Sequence, residues 1–427
     1  MNATLATTGE RTPLAPIIVI GTLFFIFGFV TWLNGSLIPF VKLAFDLDTD
    51  ARAFLVTMAF YLSYFFLALP SSWILERTGM KKGMALGLLA MAAGAFTFGS
   101  FTSTRWYSGA LAGLFVMGSG LSLLQCASNP YISVLGPIET AARRISLMGI
   151  CNKVAGMLSP LLIGSTVLSG IEVFEKQVQA APPGPQREAL LDQFAAKMHL
   201  PYMLMTGVLV LLAVWILRSP LPEISAAKAN TQPHGASERS SIFRFPHLWL
   251  GVLCLFLYVG VEVMAGDAIG TYGRGFGLPL GQTKYFTFFT MSAMLVGYLA
   301  GMAAIPRFIS QAQGLTISAL LGVVFTIAAW LSSGYVSVGF VAALGLANAL
   351  MWPVIFPLAI KGLGRFTEKG SALLVMGIAG GALIPRLFAT LKEQFPFQAV
   401  FLAIMAPCYL YILYYSLRGH RVGQPAD

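Results

Sequence analysis

Apolar stretches of about 20 residues, each bounded by charges and turn residues, recur along the whole chain and limit its fold more than any other feature. A helix needs roughly 20 mostly apolar residues to cross a hydrocarbon core of about 30 Å. Composition agrees, since 57% of the 427 residues are hydrophobic and 10% charged, against roughly 25% charged in a soluble domain. The runs predict an all-α membrane protein of twelve transmembrane helices, near 16–41, 53–75, 83–102, 106–136, 145–169, 201–217, 247–272, 284–305, 314–333, 336–361, 371–391 and 397–417. A polar stretch with Arg11 precedes the first run, and no small-residue cleavage site breaks it, so it reads as a retained helix.

Two polar segments are longer than the others, 170–200 and 218–246, and the second splits the spans into six plus six. The expected organisation is an N-terminal six-helix bundle over 1–217, a cytoplasmic linker over 218–246 and a C-terminal six-helix bundle over 247–427. Short repeats support a duplication. Gln125 lies five residues before Pro130 and Asn348 five before Pro353, while Met-Gly-Ile occurs at 148–150 and again at 376–378.

A formal charge of +10 raises the question of a nucleic-acid partner, but the 27 Lys and Arg lie mostly between apolar runs, so none is expected. With a cytoplasmic N-terminus, sixteen of them fall on inside segments, ten on outside segments, and Lys153 alone lies deep in a span. That bias places both termini in the cytoplasm, with lipid as the surrounding partner; a bacterial inner membrane and a monomeric state are separate expectations. Cys126, Cys151, Cys254 and Cys408 show no CxxC spacing, and His199, His234, His247 and His420 sit at run ends or in loops. No metal ligand set, disulfide framework or intramembrane histidine relay is suggested. Loops without paired carboxylates or a metal motif disfavour an enzyme.

Polar side chains inside apolar runs are costly and normally face a cavity or a partner helix. Here they are Asn34, Gln125, Asn129, Asn152, Lys153, Glu262, Asp267 and Asn348, with Trp352 on the face of Asn348. Any of them can serve as a helix-packing group; together they suggest one cavity. Amides offer donors and acceptors to hydroxyls, and an indole face stacks on the apolar side of a pyranose, so Asn34, Gln125, Asn129, Asn152, Asn348 and Trp352 are the expected contacts of a neutral sugar. A hydrophobic drug would not need so many amides. For ion coupling the acids are Glu262, about 15 residues or roughly 22 Å into its span, and Asp267, which alternatively caps a break beside Gly266 and Gly270. A proton or sodium is the coupling ion either acid can take, and no other cofactor is expected.

The segment SWILERTGMKKG at 72–83 resembles the G-x-x-x-D-R-x-G-R-R loop of the major facilitator superfamily, with Ser72, Glu76 and Met80 as departures. By that resemblance Glu76 and Arg77 latch two bundles together on the cytoplasmic side of an outward-facing carrier. The strings WLNGSLIPF, LLQCASNPYISVLGP, MGICNKVAG, YVGVEVMAGDAIG and WPVIFPLAIKGLG resemble the superfamily's fucose permease branch, nearest its glucose/galactose and N-acetylglucosamine permeases. The resemblance implies import of a hexose by proton symport through alternating access, with sodium-coupled or uncoupled sugar transport, then drug export, as alternatives. The fucose permeases carry two membrane carboxylates; their positions fall here at Gly35 and Gln125, whereas a nearby family asparagine matches Asn152.

Overall fold

The computed structural model describes residues 14–134, 141–221, 241–305 and 307–424. Arg11, Lys228, Arg239, most of the linker and the side chains of Pro130, Arg143 and Arg365 lie outside the described residues.

Twelve helices among the described residues are long and apolar enough to cross a membrane. They run Ala15–Ala44, Asp50–Thr78, Met80–Ser103, Tyr107–Asn129, Arg144–Ser165 and Pro185–Arg218, then Pro246–Gly266, Leu280–Ala304, Gln311–Leu331, Gly334–Ile360, Lys369–Leu391 and Phe397–Leu417. Helices are the form these runs must take, because lipid offers no partner to an open backbone N–H or C=O. The turn between the second and third spans rests on Gly79, whose φ of 77° is open to glycine at little cost. The polar segment at 170–200 is more ordered than a loop: it folds into Ile171–Ala180 and Pro185–Ala196, a helical hairpin leading into the sixth span.

Packing repeats with a shift of six spans. The third span packs on the fourth and sixth, the second on the fourth, and the first on the fifth; likewise the ninth packs on the tenth and twelfth, the eighth on the tenth, and the seventh on the eleventh. The halves meet where the fifth span crosses the eighth and the second crosses the eleventh. Burial follows from this arrangement. The sixth span is 22% buried within the protein and the eleventh 72%, so the former turns its side chains outward, as Leu204 and Leu211 do, and the latter lies between halves. An outward apolar surface is what lipid tails require.

Odd-numbered spans rise from the face where the described chain begins, here the terminal face, to an opposite loop face that carries Asp46, Asp50, the helical hairpin and Glu393.

Candidate functional site

Several spans are interrupted where the halves meet. The first breaks at Leu33, between Leu14–Trp32 and Asn34–Ala44. The seventh breaks after Gly266, with Asp267 and Ala268 preceding Ile269–Arg274, and the eleventh carries a tight turn at Gly377–Ala379. Irregular backbone at membrane depth is tolerated where it lines a cavity or is covered by protein.

Trp32 fixes the geometry. Its ring occupies a slot made by two glycines from opposite halves: a Cβ on Gly156 would stand 2.5 Å from the ring, and one on Gly266 2.3 Å from it. Only a bare backbone on both sides admits the indole. From that slot Trp32 Nε1 donates to Asn152 Oδ1 at 3.3 Å, and the ring centroid lies 4.4 Å from Lys153 Nζ. The indole therefore aims two consecutive residues of the fifth span at once.

Around it lies a cavity to which the halves contribute different chemistry. Gln125, Asn129, Asn152 and Lys153 come from the N-terminal half; Tyr258, Glu262, Tyr298 and Trp352 come from the C-terminal half. The cavity reaches Asn129 and Ile145, near the terminal-face ends of the fourth and fifth spans. Gln125 Nε2 donates to the Tyr64 hydroxyl at 3.2 Å, and Trp352 stacks on Phe356 with ring centroids 5.8 Å apart. Across the middle, Lys153 Nζ donates to Glu262 Oε1 at 2.9 Å, with side chains 7% and 10% exposed. Separating such a pair strands a charge in a medium of low dielectric, so it ties the halves together far more firmly than a surface ion pair would.

Other expected residues lie elsewhere. Asn348 is fully buried, accepts from the Tyr409 hydroxyl at 2.9 Å, and turns toward the twelfth span instead of the cavity. Asn34 lies just past the break in the first span, donating to Thr31 O at 3.0 Å, with its own carbonyl unpartnered. Asp267 is buried at the break in the seventh. On the terminal face Glu76 and Arg77 are exposed; Arg77 lies over its own helix's Trp73 at 3.8 Å, and neither bridges the halves through a described contact.

The loop face is the sealed one. Asp50 holds both Lys42 and, from the other half, Lys392, while Glu393 accepts from the Ala51 amide at 3.2 Å. The hairpin adds Glu172, which accepts from the Gly281 amide at 2.7 Å, and Glu175, paired with Arg274 at 3.0 Å. Lys284 donates to the Gly164 and Leu168 carbonyls at 2.8 and 2.9 Å. Arg187 grips both oxygens of Asp46, and that hydrogen bonding holds the carboxyl below its usual range. Among the described residues, the three ion pairs that join the halves are Lys153–Glu262, Arg274–Glu175 and Lys392–Asp50, one at mid-depth and two on the loop face. Sequence reasoning counted these loop-face bases without pairing them; the acids Asp46, Asp48 and Asp50 beside Lys42 were the available signal. It also missed the cavity's tyrosines, because a tyrosine in an apolar run looks like any core aromatic.

A cavity between two halves of repeated packing, tied at mid-depth and sealed on one face, is the layout of an alternating-access carrier. The comparisons agree. The family model of the Major Facilitator Superfamily matches residues 20–385. The chain is 30% identical to the glucose/galactose transporter of Brucella abortus biovar 1 (strain 9-941) over 404 residues, covering 93% of this chain and 92% of that protein. To the L-fucose-proton symporter of Escherichia coli (strain K12) it is 28% identical over 382 residues, covering 88% of this chain and 86% of that protein. The crystal structure of the transporter FucP in its outward conformation superposes with a TM-score of 0.75 at 25% identity, covering 97% of this chain and all of that one. The chain belongs to the Major Facilitator Superfamily, in its fucose permease branch.

Proposed function

We propose that this protein imports a hexose of the glucose, galactose or N-acetylglucosamine type by cation symport, in a bacterial inner membrane with both termini cytoplasmic. The observation that carries this reading is the cavity itself, in which three amides from one half face aromatic rings from the other across the Lys153–Glu262 pair. Amides exchange hydrogen bonds with sugar hydroxyls, and Tyr and Trp faces cover the C–H side of a ring. Gln125, Asn129 and Asn152 are assigned to hydroxyl binding and Trp352 to stacking. Asn34 and Asn348 then act by shaping helices.

In this orientation the sealed loop face is external, and the structure corresponds to an inward-facing state. Glu76 and Arg77 are assigned to the outward-facing state, where the cytoplasmic ends close upon one another. The moving units are the bundles of 1–217 and 247–427, joined by the linker of 218–246. Names of the relatives support sugar as cargo and, for the E. coli and FucP-type proteins, a proton as the coupling ion. Uptake of labelled glucose, galactose and N-acetylglucosamine, in cells lacking their own hexose carriers, tests the assignment. Saturable uptake of at least one, competed by the others in a fixed order, is expected; no uptake of any hexose refutes it.

A further inference from the structure

Asp267 stands in the wall between two cavities. Trp32, Tyr61 and Glu262 line the central one; Gly35, Gly270 and Thr283 line a second, under the loop-face ion pairs. The wall is built where the first and seventh spans are broken, and the contact is close. A Cβ on Gly35 would stand 2.7 Å from Thr287 Oγ1 and 3.2 Å from Asp267 Oδ1, so the carboxylate fills the space that a side chain at position 35 would take.

That carboxylate is 1% exposed and has the Gly35 amide beside it, and no cation or side-chain donor is paired with it among the described residues. Two threonines of the eighth span are engaged elsewhere: Thr287 and Thr290 give their hydroxyl protons to the Gly266 and Ala265 carbonyls, each at 2.7 Å. Lys153 is held by Glu262. Facing Asp267 are Tyr61 from the second span, Glu262 from its own span and Lys153 from the fifth; the first and eighth spans present Asn34, Gly35 and Thr287, which carry no charge. The Asn34 side chain lies beside the Tyr61 hydroxyl, and the Asn34 carbonyl and the Thr283 hydroxyl are buried without a described partner. An anion enclosed in this way, with its one nearby cation committed elsewhere, strongly opposes formation of the wall.

We infer that Asp267 is the seat of the coupling cation and that occupancy of this seat is what permits the external face to close. When the loop face opens, the wall parts and Asp267 meets the outside solution. A proton bonding to a carboxylate oxygen, or a sodium ion coordinated by it together with the Asn34 carbonyl, removes the penalty; the halves can then close over it and open inward. The inference deepens the cation-coupled reading above and rests on it for the direction of transport, while the link between cation and closure can be measured without any sugar.

The test places a reporter in the wall. Thr283→Cys, in a protein whose Cys126, Cys151, Cys254 and Cys408 are replaced by alanine, is reacted with a maleimide across a pH series and, at fixed high pH, across a sodium series. Each rate is divided by that of the same cysteine in unfolded protein under the same conditions, because the reagent attacks the thiolate. Thr283 is 2% exposed in the closed state, so labelling reports opening. A single linked proton changes the open-to-closed ratio by up to roughly tenfold per pH unit. Labelling should therefore slow as pH falls if the ligand is a proton, or as sodium rises at fixed pH if it is sodium; either response supports the seat. Asp267→Asn and the smaller Asp267→Ser should both label slowly and without response to pH or sodium. A flat response in the Asp267 protein overturns the inference, as does a response that survives both neutral variants or is lost only in Glu262→Gln. Absent sugar uptake with the labelling response intact would refute the carrier reading and leave the seat standing.

Discussion

The two halves of the chain share a packing pattern and differ in what they bring to the interface. The fourth and tenth spans show this best. Gln125 and Asn348 occupy matching places before Pro130 and Pro353, yet Gln125 lines the cavity while Asn348 is spent on Tyr409. Matching positions in the sequence therefore hold different partners in the structure. The N-terminal half keeps amides and the cation Lys153 facing inward, whereas the C-terminal half supplies the acids Glu262 and Asp267; aromatic faces come from both. On the proposed reading, recognition of hydroxyls falls chiefly to one half, and charge is balanced only across both.

The largest expected effect lies at that balance. Lys153→Ala leaves Glu262 buried without its cation and should lower stability by about 3–5 kcal/mol, read by thermal unfolding of purified protein. Lys153→Met combined with Glu262→Gln should regain most of it, and a single variant as stable as the parent would show that the halves do not depend on this pair. Next come the amides. Asn152→Ala or Gln125→Ala should weaken sugar binding by about 1–3 kcal/mol, measured as competition against one labelled hexose. Asn348→Ala should leave affinity unchanged and cost about 1 kcal/mol of stability through the lost Tyr409 bond; equal losses of affinity at positions 125 and 348 would erase the contrast between the halves. Smallest is the loop face. Arg274→Ala removes a partly exposed ion pair worth roughly 0–1 kcal/mol, and should raise labelling of the Thr283→Cys reporter a fewfold or less, with the increment vanishing in high salt.

Much of the fold was legible because lipid leaves few choices: twelve apolar runs become twelve helices. The helical hairpin at 171–196 was not, since its helices are short and mixed in charge and gain their order from ion pairs such as Arg187–Asp46 and Arg105–Glu188. For the site, sequence picked the polar residues buried in runs and grouped them into one cavity, but a helix wheel does not say which neighbour a face meets. Lys153 stands out in the sequence as the one base deep in a span; geometry gives it Glu262. Sequence offers both Glu262 and Asp267 as coupling acids, and the structure pairs the first with Lys153 while leaving the second without a paired cation. Gly35, where the family resemblance expects a carboxylate, faces the Asp267 carboxylate arriving from the seventh span. No reading of one span at a time brings those two positions together.

Purified protein in sugar-free liposomes, given labelled glucose or galactose outside and an imposed inward gradient of protons or sodium, tests coupled sugar transport most directly. Accumulation above the external concentration that appears with the gradient and collapses when an ionophore dissipates it is the predicted result. Equilibration that ignores the gradient, or no entry of sugar at all, would contradict it.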